Sequence, residues 1–400
     1  MLLVDKDTGV HINVGVVDFH NISLVRDYFA RLNVPLTNPG PYLYPTLLYD
    51  FDTGFPVPEY VPASQAAVSA ALLAYIDIIA TNYSYLQAGY FLPDPVPEEL
   101  LIPFGEFVTR HGLQAAVQII DQVLQNDGNI WEVPTVQILK ACDITLAQSA
   151  LTGFLTAASG DTQDLYTSAA AVLGQDVLYS SEVTQMDRSG YDGVSLAVQT
   201  PSGKKLVRAK RLIVTIPPIL DLLHAFDLSS EETSIFGKFL ARGYYGAIFT
   251  HSGINDTEFY TNIGTHTPFN LQVLPGIFTI QPTGLLHKHK VYFGTLDSTV
   301  SSQAAQQMIV KQIDTLQANG VFPADTPEFL FFTNHAPFRT FVAAEDIKKG
   351  FYRDLYGLQG QQNTFWTGAS WMTQDSSLIW NFTEAQVLPT IIQSLDGQYY

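Results

Sequence analysis

Apolar positions recur at two different periods along this chain, and the switch between them separates helical from strand-rich stretches. Leu2 to Val17 places β-branched residues on both sides of Thr8-Gly9, which predicts two short strands around a turn. Val25 to Asn33 has helical spacing and stops before Val34-Pro35, whereas Pro39 to Pro62 is too rich in Pro, Tyr and Gly for regular structure. From Ala63 to Ala147 the pattern is that of long amphipathic helices: Ser64 can cap a helix over Gln65 to Thr81, and Phe107 to Gln125 repeats its apolar residues every three or four positions. Ala66 to Ala80 is the most apolar run, but Ser69 and Asp77 interrupt it and it is shorter than a membrane span, so a buried helix is expected and no span. A helix over Asp164 to Leu173 ends at Gly174.

The period then changes to two. Val177 to Val183, Gly193 to Thr200 and Lys205 to Ile216 predict strand, hairpin and strand around a Pro201-Ser-Gly203 turn. Strands dominate Tyr244 to Phe293, a helix is expected over Ser302 to Ala318, and a strand over Phe329 to Thr333. Near the end, the apolar strand Thr364 to Thr367 breaks at Gly368 and feeds the helix start at Ser376-Ser377. Backbone N–H groups there can face an anion or the polar edge of a ring.

Composition narrows the function classes. With 400 residues and 46% hydrophobic content the chain can bury cores for two domains. A net charge of −18 excludes binding to a nucleic-acid backbone and disfavours anionic membranes. Cys142 is the single cysteine, so no disulfide forms within the chain and no cysteine-built metal site exists. Asn21, Asn82, Asn255 and Asn381 open glycosylation sequons, and the acidic start Met1-Leu-Leu-Val-Asp5 lacks the apolar core of a signal peptide.

Candidate chemistry is sparse. No Gly-x-Ser-x-Gly elbow is present, which removes the simplest nucleophilic hydrolase. His287 and His289 form the only close histidine pair, and with lysines on either side they read as surface residues; no metal site is expected. His20 after the Gly15 segment, Tyr244, Tyr245 and Trp371 are candidates to line a substrate pocket, each with core packing or a structural hydrogen bond as the competing role.

Four segments carry a resemblance to a known family: Ile12-Asn-Val-Gly-Val-Val-Asp-Phe-His20, Leu165 to Val183, Val214-Thr-Ile-Pro-Pro218, and Gly350-Phe-Tyr352 running through Thr364 to Leu388. In this order and spacing they resemble the flavin-containing amine oxidase superfamily, close to its fungal branch of FAD-dependent oxidoreductases. The resemblance implies an α+β (α/β), two-domain, amine-oxidase-like fold with FAD as cofactor. It implies cofactor contacts from Gly15 and Val16 beside the flavin ring, from Val183 and Thr215 near the adenosine, and from Gly368, Ala369, Ser376 and Ser377 along the flavin and ribityl chain. The family opens with a strand, a Gly-x-Gly-x-x-Gly turn and a helix for the pyrophosphate. That motif is absent from these 400 residues, so the glutathione-reductase-type FAD domain is expected to lack its first βαβ unit, and Asp5 is not expected to be the ribose ligand.

On this reading, residues 1–25, 160–225 and 340–400 form a partial FAD-binding domain and residues 26–159 and 226–339 a substrate domain. The reaction implied is oxidation of a small organic substrate by hydride transfer to flavin, with molecular oxygen as a candidate acceptor. No catalytic acid or base is assigned. Amine oxidases of the superfamily usually carry a lysine on the strand after the Ile-Pro-Pro element; Gly243 to Thr250 has none, which argues against an amine substrate. Two alternatives stay open: an N-terminally truncated, non-catalytic remnant of the family that acts as a binding protein or is inactive, and an unrelated α+β ligand-binding protein.

Overall fold

The computed structural model describes residues 2–40, 44–125, 127–190 and 193–396. The chain forms two compact units, one from Met1–Tyr83, Ile102–Asp164 and Ala241–Arg339, the other from Ser84–Leu101, Leu165–Leu240 and Thr340–Tyr400. These cuts differ from the sequence-based ones. Residues 1–25 belong with the seven-stranded sheet of the first unit, while 84–101 and 226–240 belong to the second. The N-terminal hairpin accounts for the first difference, because its apolar face (Leu3, Ile12, Val14) packs on that sheet.

The sheet of the first unit runs Glu328–Asn334, Gly243–Thr250, Lys288–Thr295, Gly276–Pro282, Phe259–Asn262, Thr46–Asp50, Phe55–Pro56. All neighbours are antiparallel except Phe259–Asn262 beside Thr46–Asp50. One face is covered by the helix Ser302–Ala318, whose Ala305, Ile309, Ile313 and Leu316 meet Tyr245, Ala247, Phe249, Val291 and Phe293. That helix is where the sequence predicts it, and Ser301 caps it by accepting a hydrogen bond from Ala304 N at 3.2 Å.

Helices make up much of the rest of the unit. Ser64 caps Gln65–Asn82 through Ala67 N at 3.3 Å. The expectation that this helix is buried holds for one face only: Ala71, Leu72, Tyr75 and Ile79 are buried, while Leu73 is 59% exposed. By length and composition it is the one described helix able to cross a membrane, and 22% of it is buried inside the protein. The single helix expected over Phe107 to Gln125 is two, Phe104–His111 and Val117–Leu124, because Gly112 adopts φ +67° and ends the first in a left-handed cap.

In the second unit, Glu182–Asp187, Val194–Thr200 and Gly203–Ala209 form an antiparallel meander. The first strand starts five residues later than its apolar pattern suggests, and Lys210-Arg211 separates Gly203–Ala209 from Leu212–Val214 where one long strand is expected. Arg188, at the end of the meander's first strand, is fully buried and satisfied. Its guanidinium donates to Asp227 at 2.7 Å and to both oxygens of Glu232 at 2.7 and 2.8 Å. Glu232 also closes a capping box with Ser229. Removing one partner of such a buried pair costs about 3–5 kcal/mol.

Candidate active site

Leu212–Val214 and Thr364–Trp366 lie side by side in parallel, with Ile213 opposite Phe365 and Val214 opposite Trp366. Thr367 N extends the ladder to Val214 O at 3.0 Å, and the two chains then leave the sheet at Thr215 and Gly368. Ligands of parallel sheets bind beyond such carboxyl ends. Gly368 has φ +112°, and a side chain there would place its first carbon 3.0 Å from Thr215 O, so only glycine lets the two turns approach. Thr215 and Ile216 are exposed, leaving this edge open.

The helix Ser376–Phe382 starts eight residues further on. Its N-cap Asp375 accepts from Leu378 N at 2.9 Å, which places a carboxylate at the helix start and favours a neutral acceptor over an anion at the remaining first-turn N–H groups. Trp366 and Trp371 flank the Gly368 turn with stacked rings 6.0 Å apart. Both are buried, and their indole N–H groups have no acceptor among the described residues. A turn that only glycine fits, at an open strand end, suits the close approach of a flat ring such as flavin. Val183 stands apart from the turn: it packs beside Met186, Leu196, Val198 and Leu212 under the meander.

The first unit holds a different surface. Val14 sits directly on Gly246, where an added carbon would be 2.5 Å from Val14 Cγ1. Gly15 and Val16 follow; a side chain at Gly15 would meet nothing within 4 Å, and Val16 is 38% exposed. Next to them on the sheet lies an aromatic group centred on Tyr244. Its ring is parallel to Tyr292 within 2° at 6.0 Å and stacks on Phe338 at 4.8 Å, with His335 at 6.1 Å and Phe278 at 6.4 Å. The Tyr244 hydroxyl donates to Gln125 Oε1 at 2.5 Å, and burial pushes its pKa well above the usual phenol range. Burial also lowers His335, leaving a neutral imidazole at the edge of the group.

Two charges border this surface. Lys290 is held below the usual lysine range by burial, an effect that Asp18 partly opposes; Asp18 is raised by burial and drawn back by Lys290. Asp5 is differently employed. It binds the Lys288 ammonium and accepts from Thr8 N and Oγ1 at 2.9 and 2.7 Å, contacts that hold it at about 2 and fix the hairpin turn.

Several expected pocket residues serve the fold instead. Tyr245 points to the sheet face opposite Tyr244, is fully buried, and donates to Val300 O at 2.6 Å; strand alternation prevents the two tyrosines from sharing a pocket. His20 is 1% exposed, with Nδ1 2.7 Å from Thr145 Oγ1 at the start of the helix Ile144–Thr152. Trp371 is a core ring between Trp366 and Tyr356. His289 is fully buried, contrary to its reading as a surface residue, because it shares the dry sheet face with Val291 and Phe293. No group of three or more His, Cys, Asp or Glu side chains with metal-holding geometry occurs among the described residues. Tyr292, Phe338, His335 and Lys290 escaped the sequence reading. The period-two pattern of Lys288-His-Lys-Val-Tyr-Phe293 already separates Lys290 and Tyr292 from His289, Val291 and Phe293.

This architecture is the amine-oxidase-like flavoenzyme fold. It matches a conjugated-linoleic-acid (CLA)-producing fatty acid isomerase from P. acnes with TM-score 0.74 at 20% identity, over 96% of this chain and 88% of that one. It matches cyclohexylamine oxidase from Brevibacterium oxydans with TM-score 0.61 at 12% identity, over 99% and 91%. No family model matches the chain. Among curated proteins, FAD-dependent oxidoreductase oblC of Cochliobolus heterostrophus is 38% identical over 394 residues, 95% of this chain and 81% of that protein. FAD-dependent oxidoreductase dpchF of Colletotrichum higginsianum is 35% identical over 97% and 84%. Beta-cyclopiazonate dehydrogenase of Aspergillus flavus is 33% identical over 93% and 81%. The chain belongs to the fungal FAD-dependent oxidoreductases.

Proposed function

We propose that the protein is an FAD-dependent oxidoreductase that oxidises a small organic substrate at a C–H bond, with molecular oxygen as the electron acceptor. The observation that carries this reading is the Gly368 turn, an open strand end at which only glycine fits. The naming of its relatives as FAD-dependent oxidoreductases supports it. When bound, FAD supplies the two-electron acceptor for the hydride. In the second unit, Thr215, Gly368 and Ala369 would offer backbone to the cofactor, and Ser376-Ser377 would turn helix N–H groups to a neutral acceptor edge. Val183 would serve through its backbone, since its side chain is in the core. In the first unit, Gly15 and Val16 would leave room for a flat ring, and the Tyr244 group would hold an apolar substrate face and exclude water. Trp371, His20 and Tyr245 would position these walls from the core.

The competing reading is a binding protein of the same family that performs no redox step. One measurement separates the two. Purified protein should show visible flavin absorbance, or quench the fluorescence of added FAD, and Gly368→Ala should lower the thermal transition and weaken that retention by about tenfold in the folded fraction. A colourless protein that leaves FAD fluorescence unchanged overturns the oxidoreductase reading.

A further inference from the structure

The two lysines on the strand Lys288–Thr295 have opposite fates. Lys288 is spent on Asp5. Lys290, one pleat further on, lies across from Ile248 on the same sheet face as Tyr292 and Tyr244. Its side chain makes no hydrogen bond and no ion pair with any described residue, although the protein around it removes much of its water. Asp18, on the segment that follows Gly15 and Val16, acts on it through charge alone, since the two lie beyond ion-pair distance. An ammonium in this state has lost hydration without gaining a partner, and it regains that energy when an acceptor arrives; an anion is the strongest such acceptor. The neighbouring surface offers the half-buried rings of Tyr244 and Phe338, backed by the buried Tyr292, and the imidazole at its edge, His335, is neutral. A cation beside stacked rings selects one ligand chemistry, a flat conjugated molecule that carries an acid group.

We propose that Lys290 anchors the carboxylate or enolate of a planar aromatic acid against the Tyr244 surface, and so sets substrate specificity. This rests on the reading of that surface as the substrate wall. Asp18 then works against the ligand's charge and limits its affinity, so changes at the two positions have opposite signs.

The test uses the purified full chain with 2-naphthoate and its uncharged analogue 2-naphthamide as probes, followed by calorimetry. Wild type is expected to bind the naphthoate about tenfold more tightly than the amide, a preference of the size one charge-assisted hydrogen bond provides. Lys290→Gln should abolish the preference and leave amide binding unchanged. Lys290→Arg should keep it, and Asp18→Asn should strengthen naphthoate binding. Equal affinity of wild type for both probes, or a preference that survives Lys290→Gln, overturns the proposal. If Lys290→Gln fails to fold, Lys290→Arg and Asp18→Asn decide: a lost preference in the first or weaker naphthoate binding in the second overturns it. A colourless protein that shows the lysine-dependent preference defeats the flavin reading alone, and a flavin-loaded protein without it defeats only this inference.

Discussion

The two faces of the seven-stranded sheet are built from interleaved residues of the same strands, yet they do different work. On the face under the helix Ser302–Ala318, Tyr245, Val291 and Phe293 are fully buried, and even the histidine at 289 is sealed from water. On the opposite face, Tyr244 stacks with Tyr292 and Phe338 and meets the tilted His335 imidazole, and Lys290 is left without a counter-ion. On the proposal made above, sequence neighbours divide between stability and recognition. A one-residue register slip would exchange the roles, which is why sheets with such unequal faces fix their register strongly.

The largest expected separation of the two faces comes from truncating the dry one. Phe293→Ala should cost about 3–5 kcal/mol of stability through the cavity it leaves, with ligand binding to the folded fraction unaffected; denaturant titration measures the loss. A small loss would mean that the helix-covered face is not the structural core. Next comes pH. His289 Nε2 faces His251 O at 3.2 Å and so must carry the proton, and burial, aided by the charges of His251 and His287, holds the ring at about 4. An unfolded chain protonates this histidine first, near pH 6.5. Stability should therefore fall as pH drops from 6.5 towards 4, by up to about 1.4 kcal/mol per pH unit. His289→Phe should flatten that part of the profile, and an unchanged slope would show that His289 titrates normally.

The smallest effect sharpens the contrast most. Tyr244→Phe and Tyr245→Phe each delete one hydrogen bond, to Gln125 and to Val300 O, and each should cost about 1 kcal/mol. Only the Tyr244 variant should also change ligand affinity, because only its ring borders the open surface. An equal change in both would erase the distinction between the faces.

Local signals in the sequence were easy to read where they were self-contained. Ser64 before an apolar period and Gly174 after a helix each act through neighbouring backbone, and the elements form there. The break after Gly368 was equally legible. What depended on partners far along the chain was not. Nothing local says that Asp5 will claim Lys288 and leave Lys290 alone, since the two acids that decide the matter lie over 270 positions away. Tyr244 and Tyr245 were indistinguishable because both faces of their strand are buried, which removes the apolar–polar alternation that would have told them apart. His289 looked solvated because of its lysine neighbours, although neighbours on a strand point the other way.

Gly246 and Val14 also constrain what this lineage can become. The methyl of Val14 occupies the space that any side chain on that strand position would need. A lysine introduced at residue 246 would lift the N-terminal hairpin from its seat, carrying Gly15 and Val16 away with it. The chemistry of that strand position can therefore change only if hairpin and strand change together.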